Sequence, residues 1–354
     1  MDLALLDTHM TECGEPSYRA RQVWEWAARG ATGYDAMTNV PAPLREGLSG
    51  NVPFSTLTVT DEQHAKDGTV KTLFRTHDGH PVEAVLMRYR DGRRSICVSS
   101  QSGCPLTCTF CATGTMQFGR NLTTSEILDQ ALHFRRLETI DHGRAPKPRD
   151  TIHPSRGGGA SPLTNCVFMG MGEPFMNLDN VISAARRLPD AGVTSRRTTI
   201  STVGWLPGLT RFIDEVDEPI RLALSLHAAN PALRSQLMPV NDRYPLADVL
   251  AECHRYVELR GRKVYIEYVM LEGVNDTPRH AAELAAILDP KAFKVNLIPY
   301  NPTGMYGGSS RDAIAAFKHV LDRARIPATV RLTRGRDIAA ACGQLAAEPR
   351  LARA

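Results

Sequence analysis

Three cysteines crowd one short stretch of this 354-residue chain: Cys104, Cys108 and Cys111, in SGCPLTCTFCATG, form a C-x₃-C-x₂-C pattern. Thiolates are soft ligands, so the cluster suits an iron–sulfur centre or zinc better than an oxygen-loving ion. A zinc ribbon would show two cysteine pairs, and a disulfide framework an even count. If the centre is a [4Fe–4S] cluster, three cysteines leave one iron without a protein ligand. That open iron can bind a small molecule, which a catalytic cluster needs and an electron carrier does not. A zinc site completed by a distant histidine is the plainer alternative. Five further cysteines stand apart, at Cys13, Cys97, Cys166, Cys253 and Cys342.

Something must hold this loop rigidly, and the surrounding pattern says what. After Ser95, strand-like runs alternate with helical ones: SICVSS, NCVFMG, RTTIST, IRLALSLH, KVYIEYVM and KVNLIP are the strands. Helical periodicity covers 124–137, 178–188, 206–215, 246–260, 279–288 and 311–325. Thr123 followed three residues later by Glu126 has the form of a capping box. Six βα units in series predict a parallel sheet, either an open partial barrel or a doubly wound sheet. Upstream, residues 1–55 read as a small helical unit, and 56–94 as a short β extension leading into the barrel. The barrel core would cover 95–305, and 306–354 a helix, a strand and a cysteine segment, AAACGQL. The stretch 141–165, rich in Pro, Gly and Arg, has no hydrophobic period and reads as an insertion or loop.

Composition excludes some classes. Hydrophobic residues make up 42% and charged residues 23%, ordinary for a globular protein. No apolar run reaches the ~18 residues of a membrane span, and MDLALLDTHM lacks the basic start of a signal peptide, so a cytoplasmic location is expected. The net charge of +4 decides little; the 35 arginines against 7 lysines are explained first by genome composition, and they allow, without showing, paired donation to phosphate. Arg19, Arg21, Arg334 and Arg336 are candidate phosphate contacts, although solvated faces explain them at least as well.

The C-x₃-C-x₂-C stretch, with Phe110 before Cys111, resembles the radical S-adenosylmethionine (SAM) superfamily. CVSSQSGCPLTCTFCATG, FMGMGEPFMNLDNV, STVG, LSLHAANPALR, VNLIPYNP and RGRDIAAACGQL together resemble its RlmN/Cfr group of RNA adenine methyltransferases. EPSYRARQVWEW and MTNVPAPLRE extend the likeness to the N-terminus, where it is closer to the RlmN branch. The resemblance implies a partial (β/α)₆ radical SAM barrel with an N-terminal helical accessory domain. Cys104, Cys108 and Cys111 would hold the [4Fe–4S] cluster. Gly172 and Glu173 of GMGEP, Ser201 of STVG, Ser225, Leu226 and His227 of SLH, and Asn301 of YNP would bind SAM. Independently of the family, each of these residues falls at or just past the carboxyl end of a predicted strand, where parallel barrels place their chemistry.

The resemblance also implies two SAM molecules per turnover. One methylates Cys342, and reductive cleavage of the other yields a radical that activates the S-methyl group for addition to adenine. Glu83 of PVEAVLM matches the family's proton acceptor, Cys97 being the other candidate base; alone, Glu83 would read as a solvent-facing strand residue. Cys97 would then attack Cys342 to release product, leaving a transient disulfide bond. The implied substrate is carbon 2 of an adenine in large-subunit ribosomal RNA, and adenine 37 of some transfer RNAs. A flavodoxin or ferredoxin would supply electrons, and the protein would act as a monomer. Cfr-type methylation at carbon 8 shares these motifs and stays open, as does a paralogue with another RNA target. From a different class, an RNA-binding protein with a structural zinc would need no SAM rim. ATGTMQFGRNL after Cys111 departs from the commoner ATGQMGF form.

Overall fold

The computed structural model describes residues 1–141 and 163–346. Most of the stretch singled out at 141–165 lies outside the described residues. Three helices open the chain, α1 (Leu3–Glu12), α2 (Tyr18–Ala28) and α3 (Ala42–Asn51). Three antiparallel strands follow: β1 (Leu57–His64), β2 (Val70–Thr76) and β3 (Pro81–Arg88). Next comes β4 (Arg94–Val98), and then a two-residue ladder of β5 (Gln101–Ser102) with β6 (Arg120–Asn121) that brackets the cysteine loop.

The alternating part runs α4 (Thr124–Asp141), β7 (Asn165–Phe168), α5 (Leu178–Arg187), β8 (Thr198–Thr202), α6 (Leu206–Glu215) and β9 (Arg221–Ser225). It continues through α7 (Pro231–Leu237), α8 (Val240–Arg243), α9 (Leu246–Arg260), β10 (Val264–Met270), α10 (Pro278–Ile287) and β11 (Phe293–Pro299). It ends on α11 (Arg311–Arg323) and β12 (Ala328–Val330). Strand order in the ten-stranded sheet is β1-β2-β3-β4-β7-β8-β9-β10-β11-β12. A doubly wound sheet would reverse its order at a switch point. This one does not, so the open partial barrel is the correct alternative. Parallel pairing runs from β4 to β12, and all those strands end on one rim.

Local chemistry explains the elements. At the start of α4, Thr123 N donates to Glu126 Oε2 at 2.9 Å and Glu126 N to Thr123 Oγ1 at 3.2 Å, a reciprocal capping box. Helix α9 stops at Gly261, which takes φ +61° and closes the last turn on Val257 O. The parallel strands place Ile96, Cys166, Ile200, Leu222, Ile266 and Val295 in the core, with polar residues such as Ser201, Glu267 and Asn296 interspersed along them. One hydrophobic core joins the N-terminal helices (Leu6, Val23, Trp24, Trp26) to α4 (Ile127, Leu128) and the barrel strands. Trp24 Nε1 donates to Asp190 Oδ2 at 2.7 Å, fixing α2 to the barrel's helical layer. Among the described residues, no helix is long and apolar enough to cross a membrane.

Candidate active site

A cleft of about 1050 Å³, mouth included, opens at the rim where the parallel strands end. Cys104, Cys108, Cys111, Gly172, Glu173, Ser201, Ser225, His227, Asn301 and Cys342 all line it. Two positions make the cysteine loop possible. Gly103 takes φ +72° and a Cβ there would lie 2.4 Å from Gln117 O, while one on Gly114 would lie 2.8 Å from Cys108 O. The loop therefore folds back on itself too closely for side chains. Burial pushes the Cys104 thiol up to about 12 and Cys108 well above its usual range, with the neighbouring cysteines and Glu173 adding. A metal centre reverses that penalty, because coordination deprotonates a thiol outright. Three soft donors on one tight loop thus fit an iron–sulfur cluster.

The opposite wall is built from turns tied together. Glu173 N donates to Gln101 Oε1 at 2.8 Å. Its carboxylate accepts from Phe175 N at 3.0 Å and from Val203 N at 2.9 Å, joining GMGEP to STVG. Burial raises this carboxyl to about 7, against the pull of those donors. Ser201 and Ser225 hydroxyls lie 3.3 Å apart on adjacent strands β8 and β9. His227 Nδ1 accepts from Val269 N at 3.0 Å, which assigns the ring proton to Nε2. Burial, with Arg234 nearby, lowers His227 to about 3, so the ring is neutral near pH 7. Two buried acceptors on the lining, Asn301 Oδ1 and Glu267 Oε2, have no hydrogen-bond partner. Such orphans are costly unless a ligand donates to them, and the amine and hydroxyl groups of SAM are suitable donors.

Cys342 stands in a wall shared by two spaces. Besides the cleft, it lines a smaller slot that also contains Cys97 and Arg331. Its segment is anchored at several points. Ala112 N donates to Gly343 O at 2.8 Å, Thr113 Oγ1 to Leu345 O at 2.7 Å, and Asn301 Nδ2 to Cys342 O at 3.3 Å. Burial pushes Cys342 up, and the charge and hydrogen bond of Arg331 oppose it. Cys97 on β4 is raised to about 12 by burial, with Cys342 adding. No disulfide links Cys97 to Cys342 or joins any other two of the eight cysteines, all of which lie among the described residues.

Besides Cys97, which lines the slot but not the cleft, two sequence-predicted residues stand outside both spaces. Leu226 is fully buried in the core; its contribution is its backbone, which donates to Glu267 O at 3.1 Å. Glu83 is not solvent-facing: it is 1% exposed, 3.0 Å from Lys71 Nζ, and accepts from Ala346 N at 2.9 Å. Burial follows from its place on β3, a strand covered on both faces. Of the candidate phosphate contacts, Arg19 is engaged by Glu15 and Gln22. Arg334 is engaged by Asp67 and the Tyr89 ring. Arg21 and Arg336 are exposed.

Three contributors escaped sequence reasoning. Arg234, fully buried, donates to Leu226 O at 3.2 Å, Val203 O at 2.6 Å and Asn241 Oδ1 at 2.7 Å, tying the STVG and SLH turns together. Glu267 and Arg331 are the others. Arg331 directly follows β12, a position that could have flagged it; Arg234 within α7 and Glu267 in the middle of β10 carry no such signal.

Comparisons agree with this geometry. Residues 1–52 match the model for the ribosomal RNA large subunit methyltransferase N-terminal domain. Residues 155–285 match that of the radical SAM superfamily, a stretch that includes β7 to β10. The chain is 46% identical to the probable dual-specificity RNA methyltransferase RlmN of Gemmatimonas aurantiaca, over 98% of this chain and 91% of the relative. It is 43% identical to the dual-specificity RNA methyltransferase RlmN of Anaeromyxobacter dehalogenans, over 95% and 87% respectively. A solved radical SAM methyltransferase from Sphaerobacter thermophilus superposes with a TM-score of 0.86 at 44% identity, covering 98% of both chains. With that agreement over its whole length, the chain belongs to the RlmN family of the radical SAM superfamily.

Proposed function

We propose that this protein methylates carbon 2 of an adenine in RNA, delivering the methyl group from Cys342. The observation that carries the reading is the position of Cys342, in the wall between the cysteine-lined cleft and the slot holding Cys97. Cys104, Cys108 and Cys111 would hold the cluster, and Gly172, Glu173, Ser201, Ser225, Leu226, His227 and Asn301 would seat SAM. When bound, these cofactors supply the methyl group and the one-electron chemistry that an electron-poor ring carbon demands.

The chain's own groups do the rest. Cys342 acts as the nucleophile that takes up the methyl group, a role that needs its thiolate and so needs the guanidinium beside it. His227, neutral, donates through Nε2 and moves no proton near pH 7. Cys97 or Glu83 accepts the ring proton. For Glu83 this requires release from Lys71 and Ala346, its partners in this structure. Cys97, as its thiolate, then attacks the Cys342 sulfur: an S–S bond forms as the S–C bond to the base-linked methylene breaks. The carbon keeps the electron pair and is protonated to a methyl group. The Cys97–Cys342 disulfide must be reduced by thiol–disulfide exchange before the next turnover.

Similarity to dual-specificity relatives supports large-subunit ribosomal RNA and adenine 37 of transfer RNA as substrates. Residues 1–55 would act as an accessory unit helping to hold folded RNA, 56–94 as the extension, 95–305 as the catalytic barrel and 306–354 as the carrier segment. We further read the protein as a cytoplasmic monomer reduced by a flavodoxin or ferredoxin.

The test is Cys97→Ala. With the resolving thiol gone, RNA should remain covalently joined through Cys342, visible as a shifted band and as a nucleotide-bearing Cys342 peptide by mass spectrometry. Free methyladenine at wild-type yield from that variant would sink the reading. Mass mapping of the modified base separates carbon 2 from carbon 8.

A further inference from the structure

The smaller slot holds a cation whose surroundings are unusual for this protein. Other arginines meet oxygen: Arg88 and Arg94 both reach Glu138, at 2.6 and 3.0 Å, and Arg120 reaches Asp78 and Glu126, each at 2.7 Å. Arg234 reaches carbonyls and Asn241 Oδ1. The side chain of Arg331 instead meets sulfur, Met169 Sδ at 3.7 Å and the Cys342 thiol, while Glu267 acts on it through space. A guanidinium carries five donors in a rigid fork. Thioether and thiol are weak acceptors, so most of that capacity is left for an occupant of the slot. Its placement is fixed, because Arg331 N donates to Leu297 O at 2.8 Å and prolongs the β11–β12 ladder by one residue.

The rest of the slot has the character of a base-binding surface. Val85, Met87, Met169 and Ile298 make it apolar, and the two thiols Cys97 and Cys342 line it together. Asn301, Thr333 and Arg334 also line it, but Arg331 is the donor that meets the Cys342 thiol. Apolar walls with a donor so placed suit the edge of a flat heteroaromatic ring that carries acceptors. Purine rings fit that description, and in adenine the acceptors N1 and N3 flank carbon 2.

We propose that Arg331 grips the target base, its guanidinium donating to the ring nitrogen next to the carbon that is methylated. This rests on the adenine-methylating function proposed above. A donor there draws electron density out of the ring and makes the neighbouring carbon more receptive to attack. It also fixes which carbon faces Cys342. Arg331 thereby performs recognition and orientation with one contact, in the manner of an arginine reading a purine edge.

The experiment is a double-mutant cycle between side chain and base. Cluster-loaded protein, kept anaerobic and without reductant, is titrated at one fixed salt concentration with a fluorescent RNA stem-loop. The stem-loop carries one exposed adenine, replaced in parallel by 1-deaza-, 3-deaza- or 7-deazaadenine. Anisotropy then reports affinity without turnover. Loss of one charged hydrogen bond weakens binding by about tenfold or more. Wild type should lose that much with 1-deaza- or 3-deazaadenine, and Arg331→Met should lose it with normal adenine. Arg331→Met should then lose nothing more with the deaza base, and Arg331→Lys should recover part of the affinity. Losses that add would overturn the proposal, as would wild-type indifference to all three analogues, a comparison that needs no variant to fold. A non-additive loss confined to 7-deazaadenine would uphold the grip while overturning carbon 2 as the methylated position.

Discussion

His227 shows how much one residue of the rim is asked to do. It adopts φ +59°, a left-handed conformation uncommon outside glycine and asparagine, and its carbonyl accepts from Asn275 Nδ2 at 2.8 Å. Burial lowers its folded pKa to about 3 from an ordinary 6.5. Because the folded value is depressed, the unfolded chain binds the extra proton first. Stability is therefore intact above pH 6.5 and falls, by up to about 1.4 kcal/mol per pH unit, as pH drops towards 3. His227→Asn keeps an acceptor for Val269 N and tolerates the positive φ. Melting temperatures between pH 7.5 and 5 should thus decline less steeply in that variant than in wild type. Parallel slopes would show that the acid sensitivity lies elsewhere. Residues of this kind divide sharply in legibility. Cys104, Cys108, Cys111 and Cys342 announce themselves by type and spacing. Arg234, Glu267 and Arg331 look like any charged residue on a strand or helix, because what matters in each is a neighbour far along the chain. Glu83 misleads for the same reason: its strand is covered on the face that a two-residue alternation would leave in water.

At the scale of elements, the site depends on turns that follow strands at one rim. Gly172 takes φ +94°, and a Cβ there would lie 2.5 Å from Gln101 Cβ. Gly172→Ala should cost about 1–3 kcal/mol of stability and disturb the Glu173 backbone bond to Gln101. The expected result is a lowered melting temperature together with weakened SAM binding in equilibrium dialysis; unchanged values for both would show that the turn relaxes freely. The strands and long helices themselves were readable from the chain. Helices α6 and α9 have the ends their periodicity predicts, since both are amphipathic and bounded by loop residues. Strand order was not readable between the two parallel architectures, because both present the same βαβ rhythm. It took the observed neighbour relations, each strand beside the next, to choose the open barrel.

Across the whole molecule, a single sheet and a continuous core join parts that composition suggests are separate. Trp24 and Trp26 of the N-terminal helices pack into the same core as α4 and the barrel strands, and Trp24 is bonded to Asp190. Thermal unfolding followed by tryptophan fluorescence should therefore coincide with unfolding followed by far-UV circular dichroism. A separate early fluorescence transition would mean that the N-terminal helices melt on their own. The same interdependence reaches the chemistry. Ala112 and Thr113, directly after Cys111, bond to Gly343 and Leu345 on either side of Gln344, just past Cys342. A molecule whose cysteine loop has been damaged by air would also misplace that thiol. Two potential faults then become one, and an injured enzyme falls silent as a unit instead of consuming cofactor in fruitless cycles.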